Sequence, residues 1–178
     1  YTYAINGDGC MMEGVSSEAA SLAGHLGLGK LVLFYDSNKI TIEGDTDIAF
    51  SEDVAKRFEA YGWQVLGGDA FDVEELSKLV AKAKAETKKP TLVIMKGVIG
   101  KGAATMEGHH STHGAPLGDD EIKATREKLG IPVDQDFYID PEAVDYYTSV
   151  KDKNSKAYSE WNANFEAWAA ANADLKAE

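Results

Sequence analysis

A carboxylate between two glycines and an amide further along the chain could together bind a cation and a phosphate group. Asp8 lies in the run Gly7-Asp8-Gly9, and 28 residues separate Gly9 from Asn38. Carboxylate and amide oxygens suit Mg²⁺ or Ca²⁺, and Mg²⁺ usually completes its coordination with phosphate oxygens and water. Glycines let backbone N–H groups approach a phosphate closely. Taken alone, the same residues also fit an ordinary tight turn and a turn asparagine.

Three histidines form a second group with possible chemistry. His109, His110 and His113 fall within five positions between Gly108 and Gly114. Closely spaced imidazoles are common zinc ligands, although zinc normally takes a fourth group and the only cysteine, Cys10, is far away in sequence. The alternative is a set of surface histidines on a loop. His25, in a segment of small residues, is interpreted as structural.

The sequence predicts alternating strands and helices, and these elements must position the candidate site residues. Short β-prone or apolar runs predict strands at 1–5, 31–35, 62–66 and 91–95. Helices are expected at 16–26, 53–61 and 119–129, and a further helix begins after Asp72, where Glu75 suggests a variant capping box. Its apolar stripe comprises Val73, Leu76, Leu79, Val80 and Ala83.

Strands separated by helices favour right-handed crossovers and a parallel sheet. We therefore predict an α/β fold, a mainly parallel sheet with helices on both faces, in an incomplete domain because only four strands are clear. Asp8 and Asn38 then lie at the carboxyl ends of neighbouring strands, where such sheets bind ligands. The long segment 97–117 is expected to be a functional loop. After Asp140-Pro141, a last segment carries Trp161, Phe165 and Trp168 at helical spacing.

Composition narrows the class of protein. The 178 residues include 30 acidic and 18 basic side chains, a formal net charge of −12, which argues against nucleic-acid and anionic-membrane partners. No apolar run is long enough to cross a bilayer, and a single cysteine excludes a disulfide framework. The absence of a signal peptide favours a cytoplasmic location. Because the chain starts at Tyr1 inside a strand-like run, we expect it to be a piece of a longer protein.

Three separate runs resemble the transketolase family: GDGCMMEGVS at 7–16, YDSNKITI at 35–42 and HGAPLG at 113–118. The similarity covers nearly the whole chain, with the motifs in the family's order. It implies a thiamine-diphosphate-binding fold. Residues 1–140 would be the latter part of the diphosphate-binding domain, and 141–178 a helical segment leading to the interdomain linker.

The resemblance also implies a reaction and roles for individual residues. Transketolases use thiamine diphosphate and Mg²⁺ (or Ca²⁺) to move a two-carbon ketol unit from a ketose phosphate to an aldose phosphate. By this resemblance Asp8, Asn38 and the Ile40 carbonyl are metal ligands, while Gly9 and Asn38 contact the cofactor. His113 reaches both the diphosphate and the substrate and is the catalytic residue, since an imidazole can donate to phosphate and shuttle protons near pH 7.

Glu13 matches an acidic residue that joins a carboxylate network between the two active sites of the family's homodimer. It could also be a first-turn glutamate that answers the helix dipole. His110 occurs in a family-like place without an assignable role, and His109 is interpreted as solvent-facing. The stretch 101–108 departs from the family's sequences, which puts substrate contacts there in doubt.

Parts that the family requires are absent from these 178 residues, among them the strands and histidines before Gly7, the pyrimidine-binding domain and its activating glutamate. We therefore expect the chain alone to be inactive in ketol transfer. Rival interpretations are dihydroxyacetone synthase or another thiamine diphosphate enzyme, such as a dehydrogenase E1 component, and a non-catalytic phosphate-binding module. A natural split-subunit transketolase is a further alternative.

Overall fold

The computed structural model describes all 178 residues and contains six strands and seven α-helices. The strands are β1 Thr2–Gly7, β2 Leu31–Ser37, β3 Ile40–Thr41, β4 Gly44–Asp45, β5 Gln64–Asp69 and β6 Thr91–Lys96. The helices are α1 Asp8–Met12, α2 Gly14–His25, α3 Val54–Ala60, α4 Val73–Ala85, α5 Asp119–Leu129, α6 Pro141–Ala171 and α7 Ala173–Ala177. Short 3-10 turns occur at Thr46–Ile48 and His110–Thr112.

Four strands form one parallel sheet in the order β1-β2-β6-β5. β1 and β2 are neighbours in register, with Asn6 opposite Tyr35 and Gly7 opposite Asp36. Their carboxyl ends therefore lie side by side, directly before Asp8 and Asn38. The predicted α/β class with a parallel sheet is confirmed. The two-residue strands β3 and β4 form a separate antiparallel hairpin, which the sequence did not predict.

Apolar side chains cover both faces of this sheet, as predicted. One face carries a core around Tyr35 of β2. It includes Met11 of α1, Ala20 of α2, Phe58 of α3 and Trp63, which directly precedes β5. The opposite face carries a smaller cluster of α4 and sheet residues: Val32, Leu79, Ala83 and Val93. Alternate residues of β2 thus point to opposite cores, as the two-residue period of a strand requires.

Several element bounds differ from the predicted ones. The helix expected at 16–26 begins earlier, at Gly14, and a separate five-residue helix precedes it. Glu13 separates the two with an extended backbone of φ −70° and ψ 133°. The strand expected at 62–66 instead runs over Gln64–Asp69, since pairing with β6 extends it through two glycines and Gly62 turns with φ +85°.

Asp72 caps α4 as predicted, and Asp53, which was predicted as a helix residue, caps α3. Asp53 and Asp72 accept hydrogen bonds from the backbone N–H groups of Lys56 and Glu75, at 3.1 and 2.8 Å. The reciprocal half of the capping box is wrong, because the Glu75 carboxylate accepts from the Asp69 backbone N–H at 2.8 Å. Val73 also departs from the predicted apolar stripe, since it is 74% exposed.

The predicted loop 97–117 contains no strand and only the 3-10 turn at 110–112. Helix α5 then occupies the predicted residues 119–129. It ends at Gly130, which adopts the left-handed conformation with φ +69° that favours glycine.

The chain divides into two compact units, Tyr1–Gly130 and Ile131–Glu178. The first contains the sheet. The second contains α6, which Asp140 caps by accepting from the Glu142 N–H at 2.8 Å. Along α6, Trp161 and Phe165 stack with ring centroids 5.4 Å apart, and Phe165 lies 5.9 Å from Trp168. None of the seven helices has both the length and the apolar character needed to span a membrane.

Candidate active site at the carboxyl ends of β1 and β2

Asp8 is a buried carboxylate at the junction of β1 and α1, only 2% exposed. Its Oδ2 accepts hydrogen bonds from the backbone N–H groups of Asn38 and Lys39, at 3.1 and 2.9 Å. Its Oδ1 accepts from the Tyr35 hydroxyl at 2.6 Å. A carboxylate offers about four lone-pair positions, so these three bonds leave one for a further partner. Asp8 therefore joins the ends of both strands while keeping capacity for a cation.

Tyr35 is a buried phenol that anchors this carboxylate. Tyr35 is 1% exposed and packs in the core on one face of the sheet. Burial first, and then the hydrogen bond to Asp8, raise the pKa of Tyr35 well above its ordinary value. The hydroxyl consequently stays protonated and donates to Asp8 at any physiological pH.

Asn38 is held at both ends of its side-chain amide. Its Oδ1 accepts from the Ile40 backbone N–H at 2.9 Å, and its Nδ2 donates to Asp36 Oδ2 at 3.2 Å. Lys39, between Asn38 and Ile40, adopts a left-handed φ of +66°. The Lys39 N–H bond to Asp8 satisfies the backbone in this unusual turn, which places Asn38 and Ile40 beside the carboxylate.

The glycines of the first motif form a strand-to-helix junction rather than a separate turn. Gly7 ends β1 with an extended backbone, φ −113° and ψ −174°, and Gly9 already belongs to α1. A Cβ atom added at Gly7, Gly9 or Gly14 would meet nothing within 4 Å. No packing within the protein explains three glycines here. Gly7 and Gly9 line a cleft, and the space beside them suits a ligand that approaches the backbone.

This cleft has a volume of about 770 Å³ and contains every site residue predicted from the sequence. Its lining includes the following predicted residues: Asp8, Gly9, Glu13, Asn38, Ile40 and His113. Asp36 lines it as well, and Ile99 joins His113 from the loop 97–117. The fold thus brings together residues that lie more than 100 positions apart in sequence.

The remaining histidines lie elsewhere. His25 is on α2 beside Tyr61, and neither it nor His109 or His110 lines the cleft. The rings of His109 and His110 pack together with centroids 4.4 Å apart, and His109 is exposed. The structure contains no cluster of three or more His, Cys, Asp and Glu side chains placed to bind a metal ion. The three histidines accordingly form no joint site.

Glu13 lines the cleft at the break between α1 and α2, where its side chain is exposed. It occupies the position before the first residue of α2 and makes no side-chain capping bond. Its carbonyl accepts from the Ser16 N–H at 3.1 Å. The carboxylate is therefore free of a local capping role.

Arg57 of α3 fixes the short helix that carries the first motif. Its guanidinium donates to the carbonyl of Met11 at 3.0 Å and to the Ser17 hydroxyl at 3.3 Å. The rings of Phe50 and Phe58 lie 6.0 and 5.7 Å away, within cation–π range. Arg57 thereby satisfies an end carbonyl of α1, which a five-residue helix cannot pair internally.

Helix α5 anchors the loop that carries His113. Glu121 accepts from the backbone N–H groups of Thr105 and Met106, at 2.7 and 3.1 Å. The bonds from Thr105 lower the pKa of Glu121. Glu107 pairs with Lys101 at 2.9 Å, and that bond first, followed by the Gly102 N–H, lowers the pKa of Glu107 to about 2.

Sequence reasoning missed three contributors to the site: Tyr35, Asp36 and Arg57. A tyrosine inside an apolar strand has the pattern of an ordinary core residue. Asp36 gave a usable signal, because a carboxylate next to the carboxyl end of a parallel strand faces the region where such sheets bind ligands. Arg57 gave none, since its partner is a backbone carbonyl on a distant element.

Comparison with known proteins shows the family to which this chain belongs. The family described as the transketolase thiamine diphosphate binding domain matches residues 1–178. The chain belongs to the transketolase family. Curated transketolases from Treponema pallidum and Saccharomyces cerevisiae are 47% and 46% identical to it, over 94% and 100% of the chain.

Solved transketolases share the fold as well. The transketolase of Pichia stipitis in complex with sedoheptulose 7-phosphate superposes with a TM-score of 0.90 at 44% identity, covering 99% of this chain and 26% of that one. The chain also spans only 25% and 26% of the two curated relatives. It thus corresponds to about a quarter of the length of these transketolases.

Proposed function

We propose that this chain supplies the diphosphate-binding half of a transketolase active site. In the complete protein it would serve the transfer of a two-carbon ketol unit from a ketose phosphate to an aldose phosphate. The observation that carries the proposal is the cleft that Asp8, Asn38 and His113 share, with three glycines opening onto or beside it. When bound in this cleft, thiamine diphosphate would supply a nucleophilic carbon for the transfer.

Asp8, Asn38 and the Ile40 carbonyl are proposed to hold Mg²⁺ or Ca²⁺. The donor set fits a hard cation, because it combines one carboxylate with neutral oxygens and leaves positions for phosphate and water. Asp8 retains an unused lone pair, and its charge offsets that of the cation beside a diphosphate. The backbone of Gly9 is proposed to contact the diphosphate, and Asn38 to touch the cofactor as well as the metal.

His113 is proposed as the catalytic residue. It follows the 3-10 turn at 110–112, and its backbone N–H donates to the His110 carbonyl at 2.9 Å, which fixes the turn while the side chain stays exposed at the cleft. An imidazole there can donate to a diphosphate oxygen or exchange a proton with a sugar hydroxyl.

The finer context of the enzyme also belongs to this proposal. We expect sugar phosphates as substrates, a homodimer in which Glu13 joins the carboxylate network between the two active sites, and a cytoplasmic location within the pentose phosphate pathway. The exposed, uncapped carboxylate of Glu13 is compatible with a partner outside this chain. Neither a nucleic-acid nor a membrane partner is expected from a net charge of −12.

A ketol-transfer assay of the full-length protein tests the proposal. With xylulose 5-phosphate as donor and ribose 5-phosphate as acceptor, we expect turnover that needs both thiamine diphosphate and Mg²⁺. His113→Ala should lower turnover by 10²-fold or more, the usual contribution of a general acid–base group. The proposal fails if the wild-type protein, loaded with cofactor, transfers no ketol unit. Transfer to formaldehyde as the only effective acceptor would instead favour a dihydroxyacetone synthase.

A further inference from the structure

We infer that Asp36 is a positioning residue of the cation site, which holds the Asn38 amide so that its oxygen remains the end available to the metal. This inference rests on the proposed function, because it concerns the cation that Asp8 and Asn38 would bind. Asp36 lies outside the Gly-Asp-Gly motif and is not among the residues predicted as ligands.

The hydrogen bonds around Asn38 permit only one orientation of its amide. Asp36 Oδ2 accepts from Asn38 Nδ2 at 3.2 Å, while Asn38 Oδ1 accepts from the Ile40 N–H at 2.9 Å. An ionised carboxylate can only accept, and a backbone N–H can only donate. Reversing the amide would place oxygen against oxygen and N–H against N–H. Asp36 therefore favours the amide orientation in which the side-chain oxygen of Asn38, and not its nitrogen, faces the Ile40 N–H.

The other oxygen of Asp36 is enclosed by the protein. Its Oδ1 is buried and has no hydrogen-bond partner. It lies against the backbone of Gly97, where an added Cβ atom would overlap it. Burying an unpaired carboxylate oxygen costs free energy, so the position is unfavourable without a compensating role. Gly97, at the end of β6, provides the space that keeps the carboxylate directed at Asn38.

The charge of Asp36 can also act directly. A carboxylate there repels a bound diphosphate and attracts the cation, so its removal changes cofactor binding in either direction through charge alone. Both direct effects persist when Asn38 is replaced, whereas an effect exerted through the Asn38 amide disappears. The comparison between the two backgrounds therefore separates the two roles.

The test is a double-mutant cycle on cofactor affinity in the full-length protein. Calorimetry gives the Kd of thiamine diphosphate at saturating Mg²⁺ for the wild type, Asp36→Ala, Asn38→Ala and the double variant. We expect Asp36→Ala to weaken binding at least tenfold in the wild-type background. In the Asn38→Ala background the same change should alter the Kd by less than twofold, because the residue through which Asp36 acts is absent.

Two further variants keep the test decisive. Gly97→Ala retains the carboxylate but displaces it, and should reproduce the tenfold loss even if Asp36→Ala folds poorly. Asp72→Ala removes a carboxylate distant from the cleft and should leave the Kd unchanged. Unchanged or tighter binding by both Asp36→Ala and Gly97→Ala overturns the inference, as does an equal loss in both backgrounds. If the wild type itself shows no Mg²⁺-dependent binding, the proposed function fails and the inference falls with it.

Discussion

At the scale of single residues, Asp8 combines an observed structural role with a proposed role as a metal ligand. Its two oxygens receive three hydrogen bonds, two of them from the turn that carries Asn38 and Ile40. The same carboxylate is the only formal charge among the proposed metal ligands. The turn and the cation site therefore depend on one side chain, and a substitution there acts on both.

Asp8→Asn in the full-length protein should lower both stability and cofactor affinity. An amide cannot accept at both positions, so a bond to a charged acceptor worth roughly 1.5–3 kcal/mol is lost. We expect a comparable fall in the free energy of unfolding, measured by urea denaturation. The affinity for thiamine diphosphate in Mg²⁺ buffer should fall more than tenfold, about 1.4 kcal/mol. Asp72→Asn, which weakens only a helix cap, is the matched control. Affinity retained within tenfold would refute the ligand assignment.

Tyr35 gives the fold a specific sensitivity to alkaline pH. Its pKa is raised in the folded state, so the unfolded chain loses this proton near pH 10 while the folded protein keeps it. The contribution of Tyr35 to the free energy of unfolding is therefore fully present below about pH 10 and decreases as the pH rises above 10. We expect the free energy of unfolding of Tyr35→Phe to be lower at pH 8, by about 1–3 kcal/mol, and to fall less steeply between pH 9.5 and 11.

Tyr3→Phe, at an exposed tyrosine of β1, should retain the wild-type slope and serves as the control. An identical slope for the wild type and Tyr35→Phe would show that the pKa of the Tyr35 phenol is not raised in the folded protein.

The sequence indicated the proposed ligands but not the residues that support them. Asp8 and Asn38 could be predicted because ligand chemistry and strand ends are both visible in the sequence. Tyr35 and Asp36 could not be assigned as supports, since their roles depend on which atoms face one another across β1, β2 and β6. A hydrogen bond between residues 27 positions apart leaves no local pattern.

At the scale of secondary-structure elements, long periodic segments were predicted well and short ones were missed. Helix α5 has its predicted bounds because acidic residues begin it and Gly130 ends it. The five-residue α1 and the hairpin of β3 and β4 are too short for periodicity to appear. Other hydrogen bonds hold them. The guanidinium of Arg57, on a distant helix, donates to the Met11 carbonyl of α1. The hairpin is closed by its own bond from the Thr46 N–H to the Lys39 carbonyl at 2.9 Å.

Helix α5 should control the order of the loop 97–117. Glu121→Gln keeps the side-chain shape but weakens two charge-assisted bonds to the backbone N–H groups of Thr105 and Met106. We expect faster amide hydrogen exchange at these two residues and unchanged exchange in β1 and β2. Glu127→Gln on the same helix is the matched control. Equal exchange in wild type and Glu121→Gln would mean that the loop is ordered by other contacts.

At the scale of the whole molecule, the chain carries one end of a cofactor site. The unit Tyr1–Gly130 has large apolar side chains exposed on β1 and α2, among them Ile5 at 79% and Val15 at 69%. The chain also spans about a quarter of the length of its curated relatives. The cleft at the strand ends contains the residues proposed to bind the cation and the diphosphate, and we propose that the cofactor rings are enclosed by parts of the full-length protein outside this chain.

The isolated 178-residue chain should therefore fold but bind thiamine diphosphate weakly. The sheet with a core on each face supports folding. Ring burial contributes much of the affinity of a small ligand, and without it the cation and diphosphate contacts should give about millimolar binding, on the order of −4 kcal/mol. Calorimetry with thiamine diphosphate and Mg²⁺ measures this directly. Micromolar affinity, or ketol transfer by the isolated chain, would mean that it carries more of the site than we propose.

The position of the bound cation tests the central claim most directly. Crystals of the full-length protein with thiamine diphosphate and Mn²⁺ in place of Mg²⁺ would locate the metal by its anomalous scattering. We predict one peak at the carboxyl ends of β1 and β2, about 2.0–2.3 Å from Asp8, the Asn38 side-chain oxygen and the Ile40 carbonyl. A peak at the histidines of the loop 97–117, or one bound to cofactor without Asp8, would contradict the assignment.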